Sequence, residues 1–331
     1  MTGFLKINYL FGRIVLLYFE SQLKDYETYK PLLTKTEDFH TFWENTLDES
    51  DRLPLQSTLE REEYPIKQVD VYRVTYQGFG GTPIKGYYIL PEGIKESLPC
   101  ILMYHGYGMD KGSISDYMKW VIQGIAVLAI DHRGHGESSD DSGYMTGTNG
   151  TWVLNGILDK DEYYYRKVYI DSKRAIDFLV SRPEIDKSRI CICGGSMGGG
   201  IALAVAALDH RPKLVIADVP NMCNIELAIQ LKLGGSLLSL ESYFARYPDM
   251  VHQVFHNLTY FDNLNFASMI KSKIRVTVAL KDIVCPPQGI FGVYNHIQAD
   301  KSVVVYPFTG HNVGSTSSHL DDTLSYVGKN L

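Results

Sequence analysis

The segment Arg189-Ile-Cys-Ile-Cys-Gly-Gly-Ser-Met-Gly-Gly-Gly-Ile-Ala-Leu-Ala-Val-Ala-Ala207 decides how the chain is read. A short apolar run ends in Gly194-Gly-Ser-Met-Gly198, and a string of small and apolar residues follows. That is a strand, a sharp turn and a helix, the context in which G-x-S-x-G forms a nucleophile elbow. Glycines on either side of Ser196 let strand and helix approach closely and tolerate a strained turn, lifting the serine to the carboxyl edge of a sheet. Serine is a weak nucleophile that needs a base to take its proton. The Met197 N–H, at the amino end of the helix, offers half of an oxyanion hole. A phosphate-binding loop or a chemically silent turn are the competing readings, and a serine in the complete strand-turn-helix frame favours the elbow.

In such a fold an acid and then a histidine follow the serine, each on a loop after a strand. The apolar run 274–280 ends in Lys281-Asp282, and the run 303–306 leads into Pro-Phe-Thr-Gly-His311. Of ten histidines, His311 is singled out by its place in the loop before the last helix. His319 falls within or at the start of that helix, and His296 within another. Asp262 is the alternative acid, but it follows no strand. His311 would take the Ser196 proton and return it to the leaving alcohol, while Asp282 fixes the imidazole tautomer and stabilises its cation. That chemistry needs no cofactor and no metal, and activity is expected to fall on acidification as the base protonates. The run 100–104 ends at His105-Gly106, so the Tyr107 N–H would complete the oxyanion hole and His105 would brace the loop by hydrogen bonding.

Working outward, runs at 69–76 and 84–90, joined by Gly78-Phe-Gly-Gly-Thr-Pro83, predict an antiparallel hairpin. Short apolar runs at 100–104, 125–130, 190–193, 214–218, 274–280 and 302–306 alternate with helix-like segments. This predicts an α/β fold, a mostly parallel sheet with helices on both faces. Residues 36–48 predict a helix with Phe39, Phe42, Trp43 and Leu47 on one face. Residues 219–268 exceed a normal crossover and read as a helical insertion before the strand carrying the acid. The expected organisation is an extension over 1–28 and one α/β domain over 29–331. Lys6, Asn8 and Arg13 interrupt the apolar run 4–19, which reads as a peripheral helix or extension rather than a targeting segment or a stable membrane insertion.

Composition narrows the class. Hydrophobic residues at 45% and charged residues at 21% exclude wholesale disorder and a multi-span membrane protein. A net charge of −6 offers no footprint for nucleic acid. The five cysteines, Cys100, Cys191, Cys193, Cys223 and Cys285, lie mostly in apolar runs. They read as buried thiols of a reducing, cytoplasmic compartment, not as disulfides or a zinc site. Tyrosines at 23 outnumber phenylalanines at 13, so many aromatic rings carry a hydroxyl that needs a partner.

Further motifs resemble one branch of the α/β-hydrolase superfamily, the acetyl xylan esterase and cephalosporin C deacetylase family, carbohydrate esterase family seven. They are Phe39-x-x-Phe-Trp43, His105-Gly-Tyr107, Asp131-His-Arg-Gly-His-Gly136, Gly156-Ile-Leu-Asp-x-x-x-Tyr-Tyr-Tyr-Arg166, the elbow, and Lys281-Asp-Ile-Val-Cys-Pro-Pro287 with Tyr294-Asn-His296. The resemblance implies removal of acetyl groups from small acetylated sugars and xylo-oligosaccharides, and from alcohols such as cephalosporin C. It also implies a hexamer whose active sites face an internal cavity. Three positions depart from the family pattern: His135 and Met197 stand where the family has Gln, and Asn312 where it has Glu. A backbone donor at Met197 does not depend on the side chain. Arg133 is expected to brace loops through a fork of hydrogen bonds, and His135 to do part of the missing amide's work. A peptidase, a general carboxylesterase or a non-catalytic binding protein on the same scaffold are the rival functions.

Overall fold

The computed structural model describes residues 17–94, 96–144, 151–231 and 234–331. Most of the amino-terminal apolar run lies outside the described residues. From Leu17 the chain forms the helix Leu17–Thr28, which packs on the helix Pro287–His296. Tyr26 stacks on Phe291 with ring centroids 5.4 Å apart, and the Asn295 amide donates to the Tyr26 and Tyr29 carbonyls.

Nine strands form one sheet in the order β1-β2-β3-β5-β4-β6-β7-β8-β9. They are β1 (Thr58–Glu62), β2 (Val69–Gln77), β3 (Pro83–Pro91), β4 (Leu98–Tyr104), β5 (Ala126–Ile130), β6 (Ile185–Gly195), β7 (Leu214–Asp218), β8 (Lys273–Ala279) and β9 (Lys301–Tyr306). The first three and β5 pair antiparallel, while the pairs from β5 through β4 to β9 are parallel. Successive residues of a strand face opposite sides, and the packing follows that period. Leu102, Leu128, Ile192 and Val215 enter the larger core. Ile101, Val127, Cys191, Cys193 and Ile216 enter the smaller core beneath Trp120 and Val327. All five cysteines are buried and unpaired.

Two features differ from the sequence reading. β1 was not expected, because Thr-Leu-Glu-Arg-Glu has no apolar alternation; it is an edge strand whose Arg61 pairs with Asp70, a polar edge of the kind that discourages further strand addition. The aromatic helix runs Phe39–Asp51 rather than 36–48, and Asp38 at its N-cap position accepts from the Tyr260 hydroxyl instead of capping. The insertion between β7 and β8 consists of short helices, Ile225–Gln230, Leu238–Arg246, Val251–Leu258 and Asn263–Phe266. Asp262 organises it: its buried carboxylate accepts from the Asn224, Ile225 and Leu264 N–H groups.

Buried tyrosines account for part of the hydroxyl excess. Tyr76, Tyr104, Tyr163, Tyr164 and Tyr169 each donate to a backbone carbonyl at 2.8–3.0 Å, on Asp171, Ser172, Val153, Arg133 and Phe261 respectively. Each ring fills core volume while its hydroxyl satisfies an acceptor that burial would otherwise leave costly. Trp43 works the same way, 1% exposed among Tyr169, Phe261 and Phe266, its Nε1–H donating to the Tyr260 carbonyl at 3.0 Å. It joins the helix Phe39–Asp51 to the end of the insertion. Trp43→Ala is expected to lower unfolding free energy by about 3–5 kcal/mol, measured by urea titration; a loss below 1 kcal/mol would show that this junction is not a stabilising contact.

Candidate active site

Ser196 stands between β6 and the helix Met197–Leu208 with φ 57° and ψ −120°. Its N–H donates to the Asp218 carbonyl at 2.9 Å, and its own carbonyl accepts from Asn221 and Gly200. The helix can start here only without side chains: a Cβ on Gly198 would lie 2.1 Å from the Tyr104 carbonyl oxygen. Met197 is the first residue of that helix, so its N–H has no intrahelical acceptor.

The loops after β8 and β9 meet the serine. Asp282 is buried, and its Oδ1 accepts from the Val284 and Cys285 N–H groups at 2.7 and 2.9 Å. Its Oδ2 lies 2.8 Å from His311 Nδ1, and His311 Nε2 lies 2.9 Å from Ser196 Oγ. A carboxylate can only accept, so Nδ1 carries the proton and Nε2 presents its lone pair to the serine hydroxyl. This arrangement can draw the proton from Ser196 as its oxygen attacks an acyl carbon. Asp262 takes no part: it caps the insertion, and burial pushes its carboxyl up to about 6.

Tyr107 follows β4 in a turn closed by the Met109 N–H on the Gly106 carbonyl. The His132 N–H donates to His105 Nε2 at 3.0 Å, which places the His105 proton on Nδ1, facing the Gly106 carbonyl at 2.8 Å. His105 therefore ties this turn to the end of β5, and burial lowers its pKa to about 4. Arg133 is buried and forks onto Asp171, Nε to Oδ2 at 2.6 Å and Nη2 to Oδ1 at 2.8 Å, with a further bond to the Phe79 carbonyl. His135 has Nδ1 beside the Arg133 carbonyl and the Tyr164 hydroxyl, and its ring stacks on Trp152 at 3.9 Å. Trp152 in turn meets the Tyr107 ring edge-on. Asn312 is exposed.

Two residues here were not singled out from the sequence. His132 is completely buried with both ring nitrogens unpartnered, and burial holds it neutral, well below the usual histidine range. Cys285 offers a sulfur within 4.8 Å of ligand atoms on Asp282 and His311. As a metal site this donor set is poor: Asp282 and His311 are already bonded to each other, and burial pushes the thiol well above its ordinary value, so no thiolate is at hand. His132 carries no spacing signal, and Cys285, in the same loop as Asp282, reads from the sequence only as a buried thiol.

Sheet, elbow and the acid–histidine–serine alignment define an α/β-hydrolase. A family model described as Acetyl xylan esterase (AXE1) matches residues 16–327. The solved acetyl xylan esterase from Paenibacillus sp. R4 superposes with TM-score 0.90 at 39% identity, covering 93% of this chain and 99% of that one. Acetyl xylan esterase 1 from a Thermoanaerobacterium species superposes with TM-score 0.88 at 28% identity, covering 93% and 98%. Acetyl esterase Axe7A of Xylanibacter ruminicola is 28% identical over 304 residues, which are 88% of this chain and 67% of that protein. The chain belongs to the acetyl xylan esterase family, and the enzyme is a carboxylic ester hydrolase.

The buried imidazoles carry a pH consequence. Burial lowers the pKa of His105, His132 and His135 in the fold, His132 furthest from its ordinary range, whereas in the unfolded chain they take up protons near pH ~6.5. The unfolded state then binds more protons, so stability falls as pH is lowered from about 7 to about 5. His132→Phe keeps the ring volume and is expected to flatten that slope in urea titrations across this range; a slope identical to wild type would contradict the linkage.

Proposed function

We propose that the protein removes acetyl groups from small acetylated carbohydrates, including acetylated sugars and xylo-oligosaccharides, and from acetylated alcohols such as cephalosporin C. The observation that carries the reading is the unbroken line from Asp282 Oδ2 through His311 to Ser196 Oγ, at 2.8 and 2.9 Å. Ser196 Oγ attacks the acetyl carbonyl carbon as its proton passes to His311 Nε2. The oxyanion forms against the Met197 and Tyr107 N–H groups. His311 then returns the proton to the leaving alcohol oxygen, leaving acetyl-Ser196. Water, deprotonated by the same nitrogen, attacks this ester and releases acetate with Ser196 restored. Asp282 stabilises the imidazolium formed in each half. Arg133, His105 and His135 hold the loops around these donors.

Supporting the acetyl preference are the printed names of the family and of the relatives above. Five buried, unpaired cysteines support a cytoplasmic setting. No helix among the described residues is long and apolar enough to cross a membrane. The family resemblance supports a homohexamer.

The test is a panel of esters varying acyl length and alcohol type, run beside Ser196→Ala. Acetyl esters should be turned over best, with sharp rejection of octanoyl esters, and the variant should lose on the order of 10⁴ in kcat. A flat acyl profile would favour a general carboxylesterase, faster peptide turnover a peptidase, and an unaffected Ser196→Ala variant would remove the mechanism.

A further inference from the structure

Beneath the candidate site lies a second acid–histidine pair. His319 Nε2 is 2.9 Å from Asp218 Oδ2, and His319 Nδ1 is 3.2 Å from the Tyr306 hydroxyl. Thr277 Oγ1 donates to the other oxygen of Asp218. His319 is 6% exposed. With the carboxylate accepting from Nε2–H, Nδ1 is left to accept from the tyrosine, so the donors of Tyr306, His319 and Thr277 are all satisfied and the bonds converge on the Asp218 carboxylate.

The positions of these four residues matter more than the bonds themselves. Tyr306 ends β9, and His319 opens the helix His319–Asn330. Between them runs the loop that carries His311. The Tyr306–His319 bond therefore closes that loop at its base. Asp218 ends β7, and its backbone carbonyl takes the Ser196 N–H. Thr277 lies on β8, opposite Asp218 in the ladder, a few residues before Asp282. One residue thus joins three segments: its carboxylate holds the base of the histidine loop and the strand that delivers the acid, and its backbone carbonyl holds the serine. Val219, Ala279 and Val313 close an apolar patch beside Tyr306, so the same three segments are also packed together. Val219 is β-branched yet has φ 40°, a conformation that persists only where its surroundings enforce it.

We propose that Asp218 and His319 form a positioning pair that sets the distance between Ser196 Oγ and His311 Nε2. The pair touches no substrate. Without it the histidine loop is anchored through fewer contacts, and a displacement of about 1 Å between reacting groups can cost roughly 100-fold in rate. The proposal rests on Ser196 and His311 acting as nucleophile and base, and the Ser196→Ala control tests that reading separately.

His319→Phe keeps a ring and removes both nitrogens. His319→Gln restores a donor near the Nε2 position. Asp218→Ala removes the carboxylate and keeps the backbone carbonyl. Steady-state kinetics on an acetyl ester should show kcat about 10- to 100-fold lower for His319→Phe and Asp218→Ala, with KM changed by less than about threefold. The double variant should be no worse than the poorer single one, because the two residues act as one unit. His319→Gln should recover most of kcat. Thermal unfolding midpoints identify any variant that does not fold, and Asp218→Ala with His319→Gln then carry the comparison. Folded His319→Phe or Asp218→Ala with wild-type kcat, a loss confined to KM, or no recovery in His319→Gln would each overturn the proposal. If Ser196→Ala also kept wild-type kcat, the functional reading would fail instead.

Discussion

A serine held at φ 57° is the constraint on which the rest of this structure depends. A non-glycine residue in that region carries strain on the order of 1–3 kcal/mol, and the turn persists only because its surroundings leave no alternative. Here the restraint is backbone on both sides: the serine N–H is fixed to β7, and its carbonyl to the segment after β7 and to its own helix. The helix Met197–Leu208 can press so closely on the end of β4 because Gly198 has no side chain. Parallel order of the central strands then brings the loops after β8 and β9 to the same edge. The acid and histidine arrive there from far along the chain.

Polar groups are buried around this edge at substantial cost and are mostly paired. Asp171 takes the Arg133 fork, Asp131 takes Lys111, and Asp282 takes two backbone N–H groups and His311. A buried ion pair is weak evidence for stability but strong evidence for geometry, since removing one partner leaves a charge with nowhere to go. The loops at the site are thus fixed by directional bonds, while the sheet below them is held by apolar packing. His132, with both ring nitrogens unpartnered, and His135, with Nε2 unpartnered, are exceptions among the described residues.

Much of this was legible in the sequence because it rests on local rules. The turn Gly194-Gly-Ser-Met-Gly198 needs small residues wherever it occurs, and the central strands are apolar runs because both of their faces are buried. Asp282 and His311 could be selected by their places after such runs. β1 was invisible, because an exposed edge strand needs no apolar period. The pairing of Asp218 with His319 was invisible for another reason: it joins a strand end to a helix start about a hundred residues later, and only the register of β7, β8 and β9 brings them together. Trp152 behind Tyr107 was hidden likewise, because the two sit on loops after different strands.

The central claim is that one serine carries all of the ester hydrolysis. Titrating the protein with a serine-directed organophosphonate, while following residual acetyl-esterase activity and locating the adduct by peptide mass spectrometry, tests it most directly. A single phosphonate on Ser196 per chain is expected, with activity falling in proportion to labelling. Full activity on a protein whose Ser196 is phosphonylated, or inactivation with the adduct on another residue, would contradict it.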